Sequence, residues 1–315
     1  MAISADSAAT TPVGAQPSRS KGLWHRMYQA RLLYLLVIPT MGFVVAFSYV
    51  PAFSALYHSF TIWSGGPARW VGLDNFKFLV RDPYLNKSWI NMIQLTLASL
   101  LKMVVPLINA IFIYRLTSSR WQYRYRVLFI LPGIIPGVVG SLLWVNFLGL
   151  KGLINEILRS VGLDSVARPW LGSFDYALYA LMFTGFPWPG GTTILFYLAG
   201  LMNIPNELID AATVDGVNGW QRFWHLELPL VMGQVKLFLV LTVIGNIQGF
   251  AGQMIMTQGG PGFATMVPGL HMFYAATQRQ QMGYASAIGT VLFLLILGLT
   301  YINLKYVRST VDITS

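Results

Sequence analysis

Long apolar runs separated by short polar loops set the rhythm of the chain. The first opens at Leu32 and reaches about Ser54. Others follow at roughly Ile90–Tyr114, Val127–Leu148, Tyr176–Leu201, Leu230–Met256 and Tyr284–Tyr306. Each has about the 20 residues a helix needs to cross a hydrocarbon core. The pattern predicts an all-α polytopic membrane protein with six transmembrane helices.

Basic residues orient those spans. Arg19, Lys21, Arg26 and Arg31 flank the start of the first, and Arg115, Arg120, Arg124 and Arg126 crowd the loop after the second. Lys305 and Arg308 close the sixth. Positive loops stay inside, so both termini and the 202–229 loop are expected in the cytoplasm. Segments 55–88 and 149–172 and the Gly259-Gly260-Pro261-Gly262 turn are expected outside. Residues 1–25 hold few large apolar side chains and read as a disordered cytoplasmic tail without the apolar core of a secretory signal. The six-span body is expected over 26–309, with a short cytoplasmic tail at 310–315.

Composition sharpens this. The chain is 55% hydrophobic and 10% charged, with mean hydropathy +0.57, far from the quarter or so of charged residues in soluble domains. Its net charge of +10 sits beside apolar runs, where lipid head groups and topology explain it better than nucleic acid. There is no cysteine, which excludes disulfides and thiol chemistry. No Gly-x4-Gly-Lys-Ser/Thr loop, Gly-x-Ser-x-Gly elbow or His-Glu-x-x-His helix occurs. His25, His58, His225 and His271 lack metal-ligand spacing. No catalytic residue, metal site or bound cofactor is expected.

Four runs are interrupted or polar. The third carries Pro132 and Pro136, and the fourth is broken by Phe186-Pro187-Trp188-Pro189-Gly190-Gly191. Irregular backbone at membrane depth is tolerated where it lines a cavity or is covered by protein. The second holds Lys102 and Pro106; a lysine there either serves a pathway or packs at an interface and snorkels. Thr242, Asn246, Phe250 and Gln253 share one face of a continuous helix in the fifth, facing a cavity or bonding to neighbouring helices.

The polar island at 204–229 lies between the fourth and fifth apolar runs. Pro205 suits a first helical turn. Leu208, Ala211, Ala212 and Asp215 then give a small-sided face, and Gly216 gives a stop. With Glu207, Asp210 and Asp215 at its edge, such a helix fits close docking on another protein, or packing on its own domain.

Asp210-Ala211-Ala212, three residues, Gly216, nine residues, Leu226, one residue and Leu228-Pro229 together resemble the EAA motif of binding-protein-dependent ABC importer membrane subunits. Asp stands for Glu and Leu for Ile. The resemblance implies a type I ABC importer transmembrane domain in a bacterial inner membrane. Its coupling helix would use Glu207, Asp210, Ala211, Ala212, Asp215 and Gly216, with Leu228 and Pro229 behind it. It implies two ATPase subunits that hold the ATP and Mg, a second homologous permease, an extracytoplasmic solute-binding protein and a carbohydrate substrate.

Leu131-Pro132, Ile204-Pro205, the Gly-Gly-Pro-Gly turn and Tyr284-Ala285-Ser286-Ala287 also look like carbohydrate permeases, so the likeness covers about residues 30–308. The chain is similar to the larger membrane subunit of the maltose importer. By that likeness Asn246 aligns with a sugar-contacting asparagine, and Trp188, Pro189 and Thr192 fall at pocket positions. Gly133 and Gly137 stand where the relative has Tyr and Ser, which implies a different, larger substrate. Trp144 and Asn146 are further lining candidates. The rival readings are a stand-alone ion- or proton-coupled carrier and an intramembrane enzyme.

Overall fold

A computed structural model describes residues 31–306. The expected tails 1–25 and 310–315 lie outside the described residues, as do Arg19, Lys21, His25, Arg26 and Arg308. The described residues fall into two compact units that divide after Phe53. α1 (Arg31–Val44) passes through one π turn at Val45–Tyr49 into α2 (Val50–His58), within which the division falls. Pro51 has no N–H for the Phe47 carbonyl, and the helix widens just before it.

In the second unit, a two-residue hairpin, β1 (Thr61–Ile62) against β2 (Arg69–Trp70), precedes α3 (Asp74–Arg81). The register pairs Thr61 with Trp70 and Ile62 with Arg69. Then come α4 (Pro83–Lys102), α5 (Val104–Arg115), α6 (Ser119–Ile130), α7 (Gly137–Phe147) and α8 (Leu153–Ser160). Next are α9 (Ala177–Phe183), α10 (Gly191–Met202), α11 (Asn206–Val214), α12 (Gly219–Arg222) and α13 (Leu228–Leu230). Last are α14 (Met232–Gln248), α15 (Ala251–Met256), α16 (Pro268–Thr277) and α17 (Met282–Tyr306).

Three helical stretches are long and apolar enough to span a membrane: Tyr34–His58, Pro83–Arg115 and Met282–Asn303. Two more qualify only as bent pairs. Ser119–Ile134 meets Gly137–Phe147 at 87°, and Gly219–Leu230 meets Met232–Gln248 at 67°. The fourth apolar run, 176–201, expected to be interrupted at 186–191, forms α9 and α10 separated by irregular backbone at 184–190. The physical cause is local. Pro187 and Pro189 remove two donors, and Gly185 and Gly190 take positive φ, 81° and 62°. Helix length therefore gives three to five spans among the described residues, fewer than the six expected.

Two apolar cores hold the second unit. One gathers Leu85, Met92 and Leu95 of α4, Leu178 and Leu181 of α9, Ile247, Leu270 of α16, and Tyr284, Ile288 and Leu292 of α17. The other joins Leu107, Ala110, Ile111 and Ile113 of α5 to Ile194, Tyr197, Leu198 and Leu201 of α10, with Ile204 and Val231. The helix breaks fall between these cores. Pro106 cannot donate to the Lys102 carbonyl four residues back, and the α4–α5 rod breaks at Met103.

Candidate functional site

The breaks line two adjoining cavities. One, of about 380 Å³, is walled by Ser99, Lys102, Pro106, Gly133, Trp188, Pro189, Gly190 and Thr242, among others. The second, of about 360 Å³, is walled by Ser99, Lys102, Gly137, Trp144, Thr184, Asn246 and Gln253, among others. Ser99, Lys102 and Gly185 belong to both. Each cavity is large enough for part of a sugar chain and presents hydroxyl and indole groups beside the Lys102 ammonium, and the second adds the side-chain amides of Asn246 and Gln253.

Trp188 is held in an unusual pose. Its φ is +52°, a left-handed value that is an outlier for a bulky side chain. The indole Nε1 donates to the carbonyls of Thr184 (2.9 Å) and Phe183 (3.3 Å). Those two bonds hold the ring, and Lys102 Nζ stands 5.5 Å from its centroid. Gly190 is needed because any Cβ there, already at positive φ, would run into Pro106. Gly191 is needed because a Cβ would lie 2.6 Å from the Phe129 carbonyl oxygen.

Asn246 serves both roles left open by its sequence. Its Oδ1 accepts from Ser99 Oγ at 3.1 Å, tying α14 to α4, and its Nδ2 donates to the Thr242 carbonyl at 2.8 Å. One amide hydrogen and one lone pair remain for the cavity it borders. The single face expected for Thr242, Asn246, Phe250 and Gln253 does not form. Helix α14 stops at Gln248, Gly249 is extended, and α15 starts anew at Ala251. Phe250 packs into the first core and stacks on Phe273 at 5.5 Å, away from both cavities. Thr192 also departs from expectation: it is exposed, and its neighbour Thr193 lines the first cavity. Gly133, Gly137, Trp144, Trp188 and Pro189 do stand on the walls, whereas Asn146 bonds back to the Leu142 carbonyl and lies off them.

The polar island folds as a helix on a pedestal. Pro205 caps α11 rather than starting it. Gly216, at φ +70°, closes it: its N–H reaches the Thr213 carbonyl at 3.1 Å, and the Val217 N–H reaches Ala212 at 3.0 Å. That is a Schellman cap, whose left-handed residue is cheap only for glycine. Ile204 and Ile209 pack inward, while Glu207, Leu208, Asp210, Ala211, Val214 and Asp215 are exposed. Val214 is 87% exposed, an uncovered apolar tip.

What holds the pedestal was not foreseen from the sequence. Glu227 is fully buried, and Arg115, at the end of α5, grips it with Nη2 at 2.7 Å from Oε2 and Nε at 3.2 Å from Oε1. Arg115 also donates to the Gly219 carbonyl at 2.8 Å, and Arg222 Nε lies 2.9 Å from Oε1. Asn218 and Gln221 form a reciprocal capping box that starts α12. Arg115 had counted only as a topology charge; its partner lies 112 residues away, beyond any local pattern. Leu228 and Pro229 continue from this clamp into the bend before α14.

At the other end, Asp82 fixes three elements. Its Oδ1 caps α4 through the N–H groups of Tyr84 (2.9 Å) and Leu85 (3.2 Å). Its Oδ2 receives Tyr284 Oη at 2.8 Å and faces His271 Nε2 at 3.1 Å. Burial pushes the carboxyl up, but the Tyr284 hydroxyl, the backbone donors and His271 outweigh it, so Asp82 sits below its ordinary 3.8. Burial lowers His271 from its ordinary 6.5. His271 Nδ1 is buried without a partner, which fits a neutral ring with its hydrogen on Nε2 toward Asp82.

Residues 36–311 match the family described as "Binding-protein-dependent transport system inner membrane component", and the chain belongs to that family. It is 30% identical over 280 residues to the probable ABC transporter permease protein YurN of Bacillus subtilis (strain 168), covering 88% of this chain and 96% of that one. It is 28% identical over 307 residues to the arabinooligosaccharides transport system permease protein AraP of the same organism, covering 94% and 96%. A chain from the crystal structure of a bacterial ABC transporter involved in the import of the acidic polysaccharide alginate shares the fold. Its TM-score is 0.79 at 23% identity, covering 91% of this chain and 99% of that one.

Proposed function

We propose that this family member is the membrane-spanning permease subunit of an ATP-driven ABC importer for a sugar or oligosaccharide. The observation that carries the reading is α11, an exposed helix with an uncovered apolar tip, anchored by Ile209 on the second core and followed in the chain by the segment that the buried Glu227–Arg115–Arg222 clamp fixes. A helix that packs so little of itself on its own domain is built to receive another protein. The sugar and oligosaccharide permeases among its relatives support the substrate class.

In this reading two ATPase subunits hold the ATP and Mg, and this chain binds neither. Closure of the ATPase pair pushes α11. The push passes through Glu227 into Arg115 and α5, and through the 229–231 bend into α14, so the two cores move relative to each other around the cavities. The ATPases and the substrate then bias one two-state element from its two ends. A second, homologous permease completes the pathway, and an extracytoplasmic solute-binding protein delivers the cargo.

Six crossings arise if each bent pair counts once and α9 and α10 make one broken span around 184–190. Both termini then lie in the cytoplasm of a bacterial inner membrane. The test is reconstitution of the complex in proteoliposomes. Saccharide uptake should require ATP and the ATPase, and should be lost when α11 is replaced by a Gly-Ser loop. Uptake by this chain alone, driven by an ion gradient, would establish a secondary carrier instead.

A further inference from the structure

Lys102 stands on the walls of both cavities, at the break between α4 and α5. No carboxylate among the described residues pairs with it. Asp74 is bonded to Lys77, Glu156 to Arg159 and Glu227 to Arg115 and Arg222, while Asp82 is held in its cluster. Asp164 and Asp175 belong to the 149–176 segment, and Glu207, Asp210 and Asp215 to α11. None of these acids lines either cavity. Among the described residues, the Trp188 ring is the contact that partly offsets the ammonium.

A cation in a partly apolar wall is costly unless a counter-charge arrives. Around it stand groups suited to sugar hydroxyls: the free hydrogen and lone pair of Asn246, the Gln253 amide, and the Trp144 indole as a flat surface for an apolar ring face. We propose that the cargo is a saccharide carrying an acidic group, a carboxylate or sulfonate, which Lys102 receives in the cavity. Trp188 holds the ammonium in place between passages. This deepens the importer reading and rests on it: Lys102 is the residue that sets preference for an acidic over a neutral sugar.

The matched probe is a pool of uronate oligosaccharides of two to five units, beside the same pool after chemical reduction of its carboxyl groups to alcohols. Uptake of both is measured in proteoliposomes holding the full native complex with its binding protein. The wild type should prefer the acidic pool. Lys102→Gln should lower the acidic-to-reduced uptake ratio roughly tenfold or more, the scale of a hydrogen bond to a charged partner. Lys102→Arg should restore much of that ratio, which separates charge from packing.

ATP-dependent uptake confined to the reduced pool, or a ratio unmoved by Lys102→Gln, overturns the proposal and leaves the importer reading standing. So does loss of the second permease from purified Lys102→Gln complexes, because Lys102 would then pair with that subunit. Uptake of neither pool also overturns the proposal, and the importer reading falls with it only if ATP-dependent uptake of every other saccharide tested in the same proteoliposomes is absent too.

Discussion

Glu227 offers the sharpest perturbation. It is fully buried and is held by two arginines whose side chains are 34% and 24% exposed. Breaking a buried ion pair by removing one partner costs about 3–5 kcal/mol when the survivor is left dry. In Glu227→Ala the survivors keep some water, so the expected loss is smaller, about 2–3 kcal/mol. Arg115→Ala removes both of its bonds to the carboxylate and the Gly219 carbonyl's donor, while Arg222 still neutralises the acid. The two single losses should exceed the double loss by about 1–2 kcal/mol, because each variant already destroys the same contact. A cost of 2–3 kcal/mol is roughly a 30- to 150-fold rise in local opening. Amide hydrogen exchange across 219–230 reads that opening directly. We expect faster exchange there and little change in α17. We also expect ATP hydrolysis that no longer drives uptake. Exchange at the wild-type rate in a fully assembled Glu227→Ala complex would refute the clamp as the link between α11 and α5.

Three further outcomes follow from the geometry. Gly216→Val should cost about 1–2 kcal/mol through its left-handed backbone alone, since nothing lies within 4 Å of an added Cβ; uptake should fall while ATP hydrolysis persists, and Gly216→Asn should be milder. Gly190→Ala adds a steric clash with Pro106 to a positive φ, so it should lower the melting temperature of the purified complex and, in variants that assemble, cut uptake more than Thr192→Ala. His271 and Asp82 are both lowered from their ordinary values, so the unfolded chain takes up protons before the folded one does. Stability is whole above pH 6.5 and lost progressively below it, first through His271 and, below 3.8, through Asp82. Melting temperature should therefore drop between pH 7 and 5, and Asp82→Asn should melt lower at pH 7 and fall more steeply over that window, because the Asp82 carboxylate is what partly holds His271 up.

Helix α11 and its cap were legible because their grammar is local. A small-sided face, flanking acids and a glycine at a fixed distance specify a helix and its Schellman cap within a dozen residues. The broken fourth span was readable for the same reason, since prolines and glycines act on their own turn. Phe250 and Thr192 show where locality fails. An i, i+4, i+8, i+11 face exists only if the helix continues, and the extended Gly249 resets the phase, turning Phe250 into the core. Thr192 is one residue, about 100° of helix, away from the wall that Thr193 reaches. Glu227 with Arg115 and Asp82 with His271 were illegible because their partners are 112 and 189 residues apart. Burial, which gives those pairs their energetic weight, is a property of the packed chain.

The most direct measurement places a photo-crosslinking amino acid at Val214, the exposed apolar tip of α11, in cells that make the whole complex. One dominant adduct is expected, with a protein carrying the phosphate-binding loop of an ATPase, together with parallel loss of ATP-driven saccharide uptake on irradiation. Adducts only with lipid or within the same chain, with uptake unaffected, would contradict docking of α11 on the ATPase.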